Sequence, residues 1–432
     1  MSETRAKEQV LGFVEALEVV LRHAAGVAVP GAERVSLRAA AGRVLAEEVT
    51  ADRDQPPFDR ATRDGFAVRA AEWTSGSRLR VAGQVRAGEA WASGEMLDGE
   101  AVEIMTGAAV PAGADAVAMM EHAVQDGTEV WAAAGRSLAV GENIVRRGSE
   151  ARRGEALLAS GTRLGAAEIA VAAACGRADL KVFGRPWVAI IATGDELVEV
   201  EEAPAAQQIR NSNGYALAAL VDAVGGSARR LAIARDRREE VRARIAEGLG
   251  SGLLLLSGGV SVGKYDLVEE VLEEFGAEFF FAGVRMQPGK PVVFGRLPSG
   301  ELGGASAHVS EARRGAPNSG RWTYFFGLPG NPVSTQVTFC CFVEPMLRAM
   351  CGAGVADPRF VQATLADAVG GKAGLTRFLP AMLRHDFERP EVRLVGWQGS
   401  GDLTANARAN CYAVLPEGRD CKSGDAITVL LR

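Results

Sequence analysis

Between Trp187 and Phe275, short apolar runs alternate with helical patterns, and this alternation constrains the fold more than any other feature of the chain. In order, there is an apolar run at 187–192, a helical stretch over 214–224, a second run at 231–234, a helix over 237–249, a third run at 253–256 and a helix over 265–275. Strands buried on both faces read as continuous apolar runs, and parallel neighbours are joined by crossover helices. The pattern predicts a doubly wound parallel α/β sheet, and in such a sheet ligands bind beyond the carboxyl ends of the strands.

Three loops at such ends stand out. Ser257-Gly258-Gly259-Val260-Ser261-Val262-Gly263 follows the third run and opens onto a helix, so backbone N–H groups and the helix dipole converge on one point suited to a phosphate. The plainer reading is a tight turn in which glycine only supplies positive φ. Asp266, just beyond, is either a first-turn helix charge or a carboxylate that recruits Mg²⁺ beside phosphates. Thr193-Gly194-Asp195-Glu196-Leu197 places two adjacent acids at a strand end, as solvated turn residues or as a pair tolerated around a cation. In Gly327-Leu328-Pro329-Gly330-Asn331-Pro332-Val333-Ser334, Asn331 is placed to cap a helix with Pro332 in its first turn, which leaves Pro329-Gly330 unexplained.

Elsewhere the texture changes. An amphipathic helix over 4–25 carries Val10, Val14, Leu17 and Leu21, widened by Phe13 and Val20, and should pack on something downstream. Residues 51–143 hold short alternating runs between Gly-rich turns and read as a β-rich insert. A helical stretch over 161–175 is expected to share a substructure with the first helix. The chain thus divides into a discontinuous helical unit (1–50 and 144–183), the insert (51–143), the α/β unit (184–353, with a flexible loop at 297–322) and a small β-barrel-like C-terminal unit (354–432). Within the insert, 58–66 packs Asp59, Arg60, Arg63 and Asp64 between apolar flanks, which is also what surface ion pairing would give. The segment 104–117 surrounds Thr106 and Asp115 with Gly and Pro turns.

At 432 residues the chain exceeds what one core usually serves. A net charge of -6 supplies no basic excess and argues against nucleic acid as the main partner. The six cysteines lack C-x-x-C spacing and are expected to be reduced and buried, and the four isolated histidines offer little for an imidazole metal site. With no apolar run of spanning length and a charged N-terminus, a cytoplasmic protein off the membrane is expected.

The ordered stretches FDRATRDGFAV, IMTGAAVPAGADAV, GENIVRRG, TGDEL, SGGVSVGKYD, QPGKP and GLPGNPVS resemble the molybdopterin molybdenumtransferases, the family that includes the C-terminal domain of gephyrin. The resemblance covers nearly the whole chain. It implies a homodimer of elongated four-domain subunits with the active site between the α/β domain of one chain and the outer domains of the other. It implies adenylylated molybdopterin and molybdate as substrates, Mg²⁺ as cofactor, AMP release, and transient contact with the molybdopterin adenylyltransferase and apo-molybdoenzymes. Carried over by motif, Asp59, Thr106, Glu196 and Asp266 are catalytic candidates. Arg147, Ser257, Gly258, Gly259, Ser261, Lys290, Pro329 and Asn331 are substrate-binding candidates, and Asp195, Glu196 and Asp266 metal ligands. Arg147 offers a guanidinium fork and Lys290 a point charge to anions, with Arg146 the lesser substitute for Arg147. Three departures bear on metal geometry: Arg60-Ala61-Thr62-Arg63 stands for the more familiar Asn-Ser-Ala-Met, Gln287 for a frequent lysine, and Gly252 where an acid often precedes the strand. The alternatives are an adenylyltransferase-like activation step and a non-catalytic, gephyrin-like dimeric scaffold.

Overall fold

The computed structural model describes residues 10–259, 267–299, 322–385 and 389–432; Ser261, Asp266, His308 and residues 300–321 of the expected loop lie outside them. A six-stranded α/β sheet runs in the order Ser227–Arg230, Trp187–Ala192, Leu253–Ser257, Trp322–Leu328, Val293–Pro298, Glu278–Ala282. The first four strands are mutually parallel, whereas Val293–Pro298 is antiparallel to both of its neighbours. The expected parallel arrangement holds for these four strands, and the reversed Val293–Pro298 makes the sheet as a whole a mixed one. The strand read at 231–234 is corrected, since the ladder is made by Ser227–Arg230. An edge strand has one side in solvent and tolerates a polar Ser-Ala-Arg-Arg run, so its strand character is not spelled out in apolar residues.

Leu253–Ser257 is buried along its whole length because helices cover both faces. Ser212–Val224 begins where the Asn211 side chain accepts the Gly214 N–H at 2.9 Å and ends at Gly225 in the left-handed region, φ 113°. Arg238–Gly248 and Leu267–Glu274 lie against the other face through Val241, Ile245, Val268, Val271 and Leu272.

The first helix, Phe13–Ala24, buries Ala16, Leu17, Val20 and Ala24 and leaves Val14 63% exposed, so its apolar face is rotated from the expected stripe. Phe13 sets the rotation by packing 5.7 Å from Phe342 and 5.0 Å from Phe378, ring centre to ring centre. The helix joins the α/β core, while Ala166–Ala174 packs in a separate cluster with Leu45, Leu180 and Val182. The two helices therefore do not share a substructure.

The insert contains a six-stranded sheet, ordered Ala116–Met119, Gly65–Val68, Glu100–Ile104, Leu79–Val85, Glu129–Ala132, Ala123–Asp126. At the C-terminal end, Thr376–His385, Pro390–Leu394, Phe360–Leu365, Ala426–Leu431 and Cys411–Leu415 pair in that order, and the last pairs back to the first, closing a five-stranded barrel.

Candidate active site

The carboxyl rim of the α/β sheet is assembled by backbone register. Thr193 donates its N–H to the Ser257 carbonyl at 3.0 Å, and Gly258 donates to the Leu328 carbonyl at 3.3 Å, which draws the three glycine-bearing loops together. Gly258 and Gly259 are both left-handed, at φ 90° and 65°. A Cβ on Gly258 would overlap the Thr193 carbonyl, and one on Gly259 would lie 2.6 Å from Thr193 Oγ1 and 2.7 Å from Val268 Cγ2. These glycines are thus required both by conformation and by space. Thr193 is 2% exposed, and its hydroxyl, against the two glycines, has no hydrogen-bond partner among the described residues.

Asn213, in the first turn of its helix, donates from Nδ2 to Ser257 Oγ at 2.9 Å and to the Gly330 carbonyl at 2.6 Å. It ties the glycine cradle to the Pro329–Asn331 turn, which passes close to it: a Cβ on Gly330 would stand 3.5 Å from Gly258 Cα. The capping role read for Asn331 is corrected. Its side chain makes no cap and instead donates to Ser400 Oγ at 2.9 Å, while the Thr335 hydroxyl donates to the Pro329 carbonyl at 2.5 Å. A proline in the first turn leaves fewer N–H groups to cap, which frees the Asn331 amide for the neighbouring unit.

The acidic loop is pinned by its backbone. Arg235 donates from Nη1 to the carbonyls of Asp195 and Leu197, both at 2.9 Å, and the Asp236 N–H reaches Asp195 Oδ1 at 3.3 Å. The Glu196 side chain folds over Gly194, where an added Cβ would stand 2.5 Å from Oε2. Burial and then the neighbouring charges of Asp195 and Glu196 push the Asp236 carboxyl above its ordinary range, so negative charge is concentrated here. The turn that carries Lys290 lies toward this rim because antiparallel Val293–Pro298 begins beside the end of Trp322–Leu328, Val293 facing Gly327. Lys290 is exposed, and Gln287 in the same turn has its Oε1 buried without a partner among the described residues.

A second group forms on the insert. The pairing of Ala61 with Ile144 and Arg60 with Val145 brings Asp59 against the next residues, Arg146 and Arg147. Asp59 accepts Arg146 Nη1 at 2.6 Å and the Arg147 backbone N–H at 2.8 Å, while Arg147 Nε donates to Asp54 at 2.8 Å. Burial raises the Asp59 carboxyl, but the Arg147 N–H and the Arg146 guanidinium together outweigh it and hold it below the usual range. Thr106 donates both its N–H and its hydroxyl to Asp64 Oδ1, at 2.6 and 2.7 Å, which holds Asp64 low as well. Among the described residues, no hydrogen bond or ion pair joins this group to the rim.

Three family descriptions match in succession: "MoeA N-terminal region (domain I and II)" over residues 11–176, "Probable molybdopterin binding domain" over 189–349, and "MoeA C-terminal region (domain IV)" over 362–431. A molybdopterin molybdenumtransferase of Staphylococcus aureus (strain COL) is 32% identical over 405 residues, covering 92% of this chain and 90% of that one. The enzyme of the same name from Bacillus subtilis (strain 168) is 33% identical over 408 residues, with 92% and 89% covered. The chain belongs to the molybdopterin molybdenumtransferase family. A crystal structure titled as a molybdopterin biosynthesis moeA protein from Pyrococcus horikoshii superposes with a TM-score of 0.70 at 30% identity, covering 98% of this chain and 99% of that one.

Within this molybdopterin molybdenumtransferase fold, the structure gathers Asp195, Glu196, Ser257, Gly258, Gly259, Lys290, Pro329 and Asn331 at one rim, and Asp59, Thr106 and Arg147 on the insert. Sequence reasoning missed Asn213, Asp236 and the partnering of Asp54 and Asp64. Asn213 and Asp236 follow runs too short and polar to mark them, although both lie just past strand-end segments. The thiols behave as expected: all six are free and buried, and burial pushes Cys340 up to about 12 and Cys351 to about 11. No helix among the described residues is long and apolar enough to cross a membrane.

Proposed function

We propose that the chain catalyses the insertion of molybdate into adenylylated molybdopterin, with release of AMP and formation of the molybdenum cofactor. The observation that carries this reading is the convergence on one rim of a glycine cradle, two adjacent carboxylates and an exposed lysine. In this reading the N–H groups around Gly258 and Gly259 and the Ser257 hydroxyl hold phosphate oxygens, with Lys290 as a compact countercharge. The Pro329–Asn331 turn walls the cradle, and Ser261 and Asp266 are proposed as further contacts to the same substrate by their place in the motif.

Mg²⁺ is part of the proposal. Among the described residues no three His, Cys, Asp or Glu side chains are spaced to hold a metal ion. Mg²⁺ typically takes only one or two protein carboxylates and completes its shell with water and substrate phosphates, so Asp195 and Glu196, with Asp266, suffice as donors. Bound there, the ion would supply charge neutralisation at the anhydride between pterin phosphate and AMP. Asp59, kept ionised by Arg146 and Arg147, and Thr106, anchored on Asp64, face the substrate from the insert of a second copy in a homodimer. That arrangement accounts for the absence, among the described residues, of any hydrogen bond or ion pair between the two groups.

The test supplies adenylylated molybdopterin, Mg²⁺ and molybdate, and follows AMP release with activation of a cofactor-free molybdoenzyme. Molybdate-dependent release, lost in Asp59→Asn and in Asp195→Asn separately but partly regained when the two variants are mixed and reassembled, is the expected outcome. Binding without release would leave the scaffold reading, and absence of recovery on mixing would sink the shared site.

A further inference from the structure

The C-terminal barrel meets the rim at several places, through the pairing of Met286–Gln287 with Thr376–Arg377, through Asn331, and through the helix that follows it, where the contact is made by buried polar groups. On that helix, Pro332–Thr338, Gln336 is 9% exposed, and its Oε1 accepts Asn406 Nδ2 at 2.9 Å and Arg432 Nη2 at 3.1 Å. Asn406 is 1% exposed. Arg432 is itself fixed, since its Nη1 donates to the carbonyls of Asn406 and Ala409 at 2.7 and 2.8 Å. One turn earlier the Val333 N–H donates to the Ser400 carbonyl at 3.0 Å, beside the Asn331 contact.

An apolar contact would hold this helix equally well while leaving it free to rotate or slide. Buried donors that converge on a single oxygen do not, because any displacement strands a polar group away from water. Gln336 lies one helical turn and a half beyond the Pro329–Asn331 turn, so its rotation sets where that turn stands relative to Gly258.

We propose that Gln336 is a positioning residue for the reaction: locked by Asn406 and Arg432 of the barrel, it fixes the helix and thereby the wall of the phosphate cradle. The inference rests on the reading of that cradle as the substrate site. It gives the barrel a role in catalysis that needs no barrel side chain in the chemistry.

The test uses the full chain with Gln336→Met, which keeps the volume and removes the acceptor, Gln336→Glu, which restores an acceptor facing Arg432, and Asn406→Ala, which breaks the lock from the barrel side. Two readouts are taken: molybdate-dependent AMP release, and amide hydrogen exchange across residues 329–338. Gln336→Met and Asn406→Ala should each lose about tenfold or more in kcat/KM, since small misplacements of positioning groups are costly, and should exchange faster over 329–338. Gln336→Glu should recover both to within about threefold of the parent. Unchanged exchange and unchanged rate in Gln336→Met would overturn the proposal, as would a loss that Gln336→Glu fails to rescue. If Gln336→Met does not fold, Asn406→Ala decides in the same way. If the parent protein releases no AMP, the functional reading fails, and the exchange arm alone still decides whether the barrel holds the turn.

Discussion

Replacing Asn213 tests how the rim is held together. Its Nδ2 serves two acceptors at once, Ser257 Oγ at 2.9 Å and the Gly330 carbonyl at 2.6 Å, so a single side chain sets the spacing between cradle and wall. Ser257 is 2% exposed, so water does not readily replace the lost bond there, whereas Gly330 is exposed and can be rehydrated. A net worth of about 1 kcal/mol for each bond gives about 2 kcal/mol for Asn213→Ala. Expressed wholly in the transition state, that is roughly 30-fold in kcat/KM. Asn213→Asp is the sharper variant, because it keeps the shape, loses both donors and sets a carboxylate against a carbonyl oxygen. Steady-state AMP release should therefore fall at least as far in Asn213→Asp as in Asn213→Ala. An Asn213→Asp enzyme with parental kcat/KM would refute the argument, since the variant gives up both donated bonds and adds a charge facing the Gly330 carbonyl.

Gly259→Ala should destabilise the protein by more than the ~1–2 kcal/mol of a left-handed alanine, because its Cβ also meets Thr193 and Val268. Gly250→Ala, left-handed at φ 95° with open space around its Cβ, should show the backbone cost alone and unchanged turnover, so equal losses of melting temperature in the two variants would exclude the steric term. Asp236→Asn should raise the melting temperature at pH 7 without divalent cation. A carboxyl whose folded pKa is raised loses stability as pH climbs through the unfolded and then the folded value, so neutralising it should help at neutral pH and make no difference below the carboxylate range; a lower melting temperature at pH 7 would contradict this. Cys340 and Cys351, held up at about 12 and about 11 by burial, should remain unlabelled by iodoacetamide at pH 8 until the protein is unfolded, and rapid labelling of either by mass spectrometry would show that its burial is transient.

What could be read from the chain follows from how each feature is encoded. The central strands are buried on both faces, so Trp187–Ala192 and Leu253–Ser257 are uninterrupted apolar runs, and the cradle is spelled out by glycines that no other residue could replace. The edge strand Ser227–Arg230 has no such spelling, and the helix Phe13–Ala24 carries apolar residues on more than one face, so only its aromatic partners Phe342 and Phe378 decide which face is buried. Asn213 and Gln336 were invisible for a different reason. An amide that bridges two loops looks in sequence like any solvated amide, and its importance lies entirely in what stands opposite it.

The direction of the antiparallel strand bears directly on the site. In an all-parallel sheet the turn that precedes a strand lies at the amino rim, on the far side from the ligand, and Lys290 three residues before Val293 would point away from the cradle. The place of Lys290 therefore turns on the direction of this one strand. The register resolves it: Val293 stands opposite Gly327 and Pro298 opposite Trp322, so this strand starts where its neighbour ends and its leading turn belongs to the carboxyl rim. Reversing one strand therefore brings the turn that carries a cation to a rim otherwise crowded by Asp195, Glu196 and Asp236, the last with its carboxyl raised first by burial and then by the two neighbouring charges. An anionic substrate entering such a rim needs that countercharge, and the strand's direction is what supplies it.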